Sequence, residues 1–220
     1  MKITKTVILK IEKEAKRFFL GASGCHDWTH VERVKNLALH IGKKEKADLG
    51  VIEIAALLHD IARKKEMDSK GKICHAQESA KLAKPILEKF NFDKEQLENI
   101  LHCIAAHRFR KSLAPKTLEA KVIYDADKLD SIGAVGIGRD FLFAGYHKTA
   151  LYTGNEKYYA QKGIDRSYTE DDTGIMEYEY KLKRIKDKIL TKEGKRIAKE
   201  RHDFMVKFFN RFWLEVEGKK

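Results

Sequence analysis

The residues best suited to chemistry in this sequence are His30, the adjacent pair His59 and Asp60, and Asp127. Two imidazoles and two carboxylates are a ligand set that suits one divalent cation, with some coordination positions left to water. A cation bound in this way lowers the pKa of its water and provides a hydroxide nucleophile near neutral pH. Because the four residues are far apart in the chain, their spacing alone does not establish that they meet.

The pair His59 and Asp60 ends an apolar stretch, residues 51–60, with the sequence VIEIAALLHD. Apolar side chains on most of its surface predict a central, buried helix. Burying an imidazole and a carboxylate at its end costs free energy unless they are paired or bound to a metal. The alternative is a helix C-terminus at which His59 caps backbone carbonyls and Asp60 begins a turn.

Two further helices must carry the other candidates. His26 and His30 are four residues apart, which places them on one face of a helix, one turn apart. Asp27 is predicted to be the N-cap or a first-turn acid of that helix. Asp127 and Asp130 are three residues apart and are therefore near neighbours on a later helix.

The composition predicts an all-α fold. Leu, Ala, Lys, Glu and Ile dominate, proline occurs only twice, and apolar residues recur mostly at helical spacing. A length of 220 residues without a Gly/Ser linker predicts a single domain, residues 1–220. The remaining local expectations are a loop over 64–72, a kink or break at Pro85, a lid or mobile segment over 147–174, and closing helices over 176–216.

The net charge of +12 favours polyanionic partners, whether nucleotides, nucleic acid or an anionic surface, although a spread of solvated lysines also explains it. Cys25, Cys74 and Cys103 form no CxxC pair, which indicates small buried thiols in a reducing cytosol rather than metal ligands. The sequence has no signal-peptide pattern and no apolar stretch long enough for a bilayer. We therefore expect a cytoplasmic protein with no membrane partner.

The motifs CHDWTHVERV, ALLHDI, HAQESA and DADKLDSIGAVGIGR, which span about 26–139, resemble those of the HD-domain metal-dependent phosphohydrolase superfamily, and in particular its small stand-alone prokaryotic members. The resemblance implies an HD-domain helical bundle with a metal site between central helices. It makes His30, His59, Asp60 and Asp127 the metal ligands. The expected ion is Mn²⁺ or Mg²⁺, while Zn²⁺, Fe²⁺, Co²⁺ and Ni²⁺ also suit such a site.

The same resemblance suggests which residues act on the substrate. Cationic side chains would neutralise charge on a phosphate, and the candidates are Lys128, Arg108 and Arg139. Catalytic roles are assigned to Lys128, Asp130, His26 and His107, and substrate binding to Arg108, Arg139, His75 and Lys128. For each histidine the alternative is a structural residue beside the metal site.

Two subgroups of the superfamily fit less well. The (p)ppGpp hydrolases carry a Glu-Asp pair shortly after His-Asp, whereas Ile61, Ala62, Arg63 and Lys64 follow here, and the GYP extension of cyclic-di-GMP phosphodiesterases is absent. Members with two metals use extra histidines. No motif assigns that role to His75, His102 or His107.

The leading hypothesis is a divalent-metal-dependent phosphohydrolase acting on a nucleotide or another small phosphate ester, with nucleoside triphosphate pyrophosphohydrolase or nucleotidase as the finer alternatives. A second hypothesis is a nuclease or nucleic-acid-binding protein, which the charge suggests but no binding motif supports. A third is a catalytically silent nucleotide or metal sensor. The oligomeric expectation is a monomer or a homodimer.

Overall fold

The computed structural model describes residues 3–21, 26–69, 72–108 and 113–220. Every regular element in these ranges is helical, which confirms the predicted all-α fold. The α-helices are α1 (Lys5–Lys16), α2 (Trp28–Glu45), α3 (Leu49–Leu58), α4 (Arg63–Asp68), α5 (His75–Leu87), α6 (Lys94–Ala106), α7 (Leu118–Asp130), α8 (Gly133–Tyr146), α9 (Glu156–Lys162), α10 (Gly174–Tyr180) and α11 (Lys192–Val216). Short 3₁₀ helices occur at Arg17–Phe19 and Leu182–Lys188.

The chain divides into two compact units. The first comprises Met1–Asp127 and Leu190–Glu193, and the second comprises Lys128–Ile189 and Gly194–Lys220. Compactness does not measure cooperative folding, so a single domain over 1–220 stays a prediction. Within the described ranges no helix is both long enough and apolar enough to cross a membrane.

The first unit is built around α3, which packs against α1, α2, α5 and α6. Its side chains are buried on most sides, including Ile52, Ile54, Leu57 and Leu58, each 0% exposed. Each such side chain stabilises the fold by roughly 1.5–3 kcal/mol. The central helix predicted from the VIEIAALLHD stretch is therefore present, and it ends immediately before His59.

Close packing between α2 and α3 depends on Gly42. A Cβ atom at this position would lie 2.5 Å from Cδ1 of Ile52, well inside van der Waals contact. The N-termini of both helices are fixed by aspartates: Asp27 accepts hydrogen bonds from the backbone N–H groups of Thr29 and His30, and Asp48 caps α3 in the same way. The predicted N-cap role of Asp27 is confirmed.

A buried carboxylate joins distant parts of the first unit. Asp125 on α7 is 0% exposed and accepts hydrogen bonds from the backbone N–H groups of Leu190 and Thr191, at 2.9 and 2.7 Å. The Thr191 hydroxyl donates a third bond at 2.6 Å. These bonds fix the segment 190–193 to the helix that also carries Asp127.

Three local predictions need correction. The segment 64–72 was expected to be a loop, yet α4 forms over Arg63–Asp68, where Arg63 and Glu66 pair across one turn at 2.7 Å. The α5 helix continues through Pro85 and ends two residues later, so the alternative of a break at the proline is wrong, while a kink there stays a prediction. A short helix, α9, also forms inside the irregular stretch 147–174, whose role as a lid stays a prediction.

The last helix carries several aromatic side chains that pack inside the second unit. Phe209 on α11 is 1% exposed and stacks on Tyr178 of α10, with ring centroids 3.8 Å apart. Phe141 on α8 contacts Phe208, Phe209 and Phe212. These aromatic side chains of α11 therefore form part of the core of the second unit.

Candidate metal centre

The structure brings the four predicted ligands together in the first unit. His30 lies in the first turn of α2, His59 and Asp60 directly follow α3, and Asp127 lies near the end of α7. The two histidines and Asp60 are at most 4% exposed, and the side chain of Asp127 is 18% exposed. Three separate helices thus deliver one cluster, which no local pattern could establish.

The donor atoms of this cluster converge around Nε2 of His30. It lies 3.3 Å from Nε2 of His59, 3.6 Å from Oδ1 of Asp127 and 3.6 Å from Oδ2 of Asp60. Adjacent ligands of a metal with bonds of about 2.1 Å lie about 3.0 Å apart in an octahedron and about 3.4 Å apart in a tetrahedron. The observed spacings are therefore close to those of a metal's coordination shell.

The tautomer of His59 supports the same interpretation. Its Nδ1 lies 2.8 Å from the carbonyl oxygen of Ala56, which can only accept, so Nδ1 carries the proton and Nε2 presents a lone pair to the cluster. A backbone carbonyl that orients a histidine in this way is a common feature of metal sites. The residues present therefore fit a divalent cation held by His30, His59, Asp60 and Asp127, although their role as ligands stays a prediction.

A second group of donors adjoins the first through Asp60. Oδ1 of Asp60 lies 3.0 Å from Nε2 of His75 and 3.5 Å from Nε2 of His107. The two Nε2 atoms are 3.0 Å apart. His75 opens α5 and His107 follows α6, and both are at most 2% exposed.

Two charged residues missed by the sequence analysis support this second group. Glu66 on α4 lies with Oε2 2.7 Å from Nδ1 of His75. Arg63 donates from Nη1 to Glu66 at 2.7 Å, and its Nη2 lies 2.8 Å from Nε2 of His26. Arg108 also pairs with Glu66. The prediction of a loop over 64–72 hid both residues. The three-residue spacing of Arg63 and Glu66, which allows an ion pair across one helical turn, was the one sequence feature that could have revealed them.

The charges of the cluster keep its acids ionised. Burial by itself raises the pKa of Asp60, but His75 and His59 outweigh burial and hold it well below the usual range. Burial likewise raises the pKa of Glu66, while His75, Arg63 and Arg108 bring it down to about 2. The histidines diverge: burial lowers the pKa of His107 to about 4, whereas for His75 the carboxylate of Asp60 overcomes burial and raises the pKa.

The other predicted site residues belong to different surroundings. Lys128, Asp130 and Arg139 are part of the second unit, where Nη1 of Arg139 pairs with Oδ2 of Asp130 at 2.7 Å. His102 lies outside the cluster, and its Nε2 accepts a hydrogen bond from the backbone N–H of Lys116 at 2.9 Å. Of the two histidines near the end of α6, only His107 reaches the cluster. The catalytic and substrate-binding roles predicted for Lys128, Asp130, Arg139 and His107 stay predictions.

Among the three cysteines, Cys74 and Cys103 are free thiols, and Cys103 is buried. Cys25 lies outside the described residues. Neither of the described thiols belongs to the histidine–aspartate groups above.

Comparison with known proteins gives a consistent family. The HD domain model matches residues 27–132. The Bacillus subtilis protein YpgQ is 36% identical over 200 residues, which cover 89% of this chain and 87% of YpgQ. The crystal structure of Bacillus subtilis YpgQ in complex with ADP superposes with a TM-score of 0.71 and 31% identity, covering 94% of this chain and 93% of that one. An HD-superfamily hydrolase from Bacillus thuringiensis gives a TM-score of 0.71 at 28% identity, covering 97% and 98%.

Proposed function

Since this chain belongs to the HD-domain superfamily, we propose that it is a divalent-metal-dependent phosphohydrolase acting on a nucleotide or another small phosphate ester. One observation carries the proposal: His30, His59, Asp60 and Asp127 converge from three helices, with donor atoms of the other three at 3.3–3.6 Å from Nε2 of His30. Nucleoside triphosphate pyrophosphohydrolase and nucleotidase are the activities we consider first. The ADP in the crystal structure of YpgQ supports a nucleotide as the ligand class.

The donor set also guides the choice of metal. Two carboxylates favour Mn²⁺ or Mg²⁺, whereas two imidazoles also suit Zn²⁺, Fe²⁺, Co²⁺ and Ni²⁺. A divalent ion bound there polarises a phosphoryl oxygen and lowers the pKa of water. The protein holds the ligands in position: the carbonyl oxygen of Ala56 fixes the ring of His59, and the carboxylate of Asp27 accepts a hydrogen bond from the backbone N–H of His30 and so fixes the start of its helix.

Cationic side chains next to the ligands would bind the phosphate. Arg63 and Arg108 together carry two positive charges beside His75, and Glu66 neutralises only one of them. Guanidinium groups suit phosphate because their paired N–H donors match its oxygens. His26, held by Arg63, and His107 are the nearest candidates for proton transfer, while Lys128, Asp130 and Arg139 stay candidates in the second unit.

Phosphate and pyrophosphate release from a panel of nucleotides and phosphate esters tests the proposal. The metal-stripped protein would be assayed with Mn²⁺, Mg²⁺, Co²⁺, Ni²⁺ and Zn²⁺ in turn. We expect metal-dependent turnover that is lost in His59→Ala and retained in His40→Ala, because His40 is half-exposed and pairs with Glu193 away from the cluster. The product separates a pyrophosphohydrolase from a phosphatase.

Two outcomes would contradict the proposal. Full activity in His59→Ala would remove the metal centre from the reaction. A metal-loaded protein that is inert on the whole panel would favour a sensor, and retention of nucleic acid that falls steeply with added salt would favour the nucleic-acid-binding alternative.

A further inference from the structure

A buried acid without a hydrogen-bond partner lies where α8 packs on α10 in the second unit. Asp140 on α8 is 6% exposed, and among the described residues its Oδ2 atom has no hydrogen-bond partner. Gly174, the first residue of α10, is so close that a Cβ atom there would lie 3.5 Å from this oxygen. Because burying an unpaired charge is strongly unfavourable, this packing favours the uncharged carboxylic acid.

The charged groups that face Asp140 do not neutralise it. Glu177 on α10 and Asp172, shortly before that helix, are like charges. The two cations that face it are each paired with another acid: Lys181 with Glu177, and Arg139 with the carboxylate that ends α7. Burial, reinforced by Glu177, therefore holds the pKa of Asp140 well above the usual range of an aspartate.

The start of α10 is connected to the irregular segment 153–173 through one buried carboxylate. Glu156 is 1% exposed, and its Oε1 accepts a hydrogen bond from the hydroxyl of Thr173 at 3.1 Å. The same carboxylate accepts hydrogen bonds from the backbone N–H groups of Thr153 and Gly154, at 2.5 and 2.9 Å. Since Thr173 is also the N-cap of α10, movement of that helix would disturb both ends of the segment.

We propose that Asp140 is a pH-sensitive switch: the uncharged acid lets α10 pack on α8, and loss of its proton to solvent releases the start of α10 together with the segment 153–173. The ionised carboxylate faces Glu177 and Asp172, and it becomes hydrated when the backbone at Gly174 moves away. Every residue in this switch belongs to the second unit, so the inference is independent of the metal centre and of the proposed hydrolase activity.

The direction of the response follows from the raised pKa of Asp140. In the released state its carboxyl group is hydrated and has an ordinary pKa of about 3.9. The packed state is therefore fully favoured below that pH, loses its advantage as the pH rises, and stops losing it above the pKa of the packed state. Within this range, each pH unit shifts the equilibrium toward release by up to about tenfold.

Hydrogen–deuterium exchange of the full-length protein at several pH values between 5 and 8 tests the inference. Relative to Asp140→Asn at the same pH, the protection of backbone amides in 153–177 should fall by up to about tenfold per pH unit in the wild-type protein. The comparison at equal pH cancels the intrinsic pH dependence of exchange. Amides of α11, in the same unit, should be equally protected in both proteins.

Two other titratable groups lie close to this contact. His147, at the end of α8, faces Asp172, whose pKa is raised by burial. Both residues are retained in Asp140→Asn, so the pH response of that variant measures their contribution separately.

Glu177→Gln provides a second variant in case Asp140→Asn does not fold, as judged by circular dichroism. It removes the like charge that reinforces burial at Asp140, so the total loss of protection with rising pH should be smaller than in the wild-type protein. Glu170→Gln changes an exposed acid of the same segment and is the matched control. It should respond to pH as the wild-type protein does.

Three results would overturn the switch. Equal protection of 153–177 in the wild-type protein and Asp140→Asn at every pH would show that ionisation does not release the segment. Parallel loss of protection in α11 would show that the second unit opens as a whole. A Glu177→Gln variant with the full response of the wild-type protein would remove the electrostatic cause. None of these results bears on metal-dependent hydrolysis, which product release from nucleotides tests separately.

Discussion

Asp60 in the first unit and Asp140 in the second are equally buried, at 4% and 6% exposed, yet their chemistry is opposite. Burial raises the pKa of both. Histidines reverse the effect of burial at Asp60 and hold its pKa well below the usual range of an aspartate. At Asp140, Glu177 reinforces the effect of burial, and the pKa lies well above that range. Burial of an acid therefore does not identify a site. The histidine nitrogens that converge on its carboxylate distinguish Asp60.

The same substitution at both aspartates gives the largest contrast. Asp60→Asn should lower kcat/KM by roughly 10³-fold or more, because metal assistance contributes several kcal/mol to the transition state. Asp140→Asn should leave kcat/KM unchanged. Steady-state kinetics together with metal analysis of the two purified variants provides the measurement. An Asp60→Asn variant with the kcat/KM of the wild-type protein would contradict the difference proposed between the two aspartates.

Two helix glycines sharpen the contrast in packing. Gly42→Ala should destabilise the fold by about 1–3 kcal/mol, since the new Cβ overlaps Ile52. Gly138→Ala, on the exposed side of α8 with nothing within 4 Å, should stabilise it by up to about 1 kcal/mol through helix propensity. Urea denaturation measures both. Equal effects in the two variants would contradict the close α2–α3 contact.

The smallest effect is a pH dependence of stability. The side chain of Asp140 faces Glu177, Asp172, Lys181 and Arg139, and its raised pKa keeps it protonated in the folded state at pH values where the unfolded chain has lost the proton. Its contribution to stability is therefore fully present below the unfolded pKa of about 3.9 and is lost as the pH rises through the folded pKa. Asp140→Asn stays neutral at every pH.

The stability of the Asp140→Asn variant relative to that of the wild-type protein should therefore increase as the pH rises. Near neutral pH we expect a gain in Tm of about 2–4 °C, the shift that corresponds to roughly 1 kcal/mol in a chain of this size, and a smaller gain at pH 4. Calorimetry at the two pH values measures the difference. A gain that does not change with pH would mean that Asp140 is ionised in the folded protein.

The sequence predicted the class of fold because it depends on local signals, whereas the set of candidate donors came from residue types together with the resemblance to a family. Helical periodicity revealed α2 and α3, and with them the positions of His30 on α2 and of Asp60 directly after α3. Periodicity could not decide between His102 and His107, because five residues is not a whole number of helical turns. Only the packing of α5 on α6 brings His107 to His75.

Glu66 and Arg63 were missed for a different reason. A polar segment rich in lysine is typical of an exposed loop, and six residues are too few for a reliable helical period. The helix α4 forms because tertiary contacts stabilise it, including the hydrogen bond from the backbone N–H of Ala62 to the Ser79 hydroxyl at 3.0 Å. Such contacts are invisible in local sequence.

The hydrogen bonds from Leu190 and Thr191 to Asp125 also limit when this part of the protein can fold during translation. During synthesis, the ribosome must add 60 further residues after α7 before the partners of this carboxylate exist. A nascent chain that stops short of residue 190 leaves Asp125 buried without its donors, or leaves α7 undocked. Since α7 also carries Asp127, the four predicted metal ligands are all translated well before the helix that carries the last of them can dock.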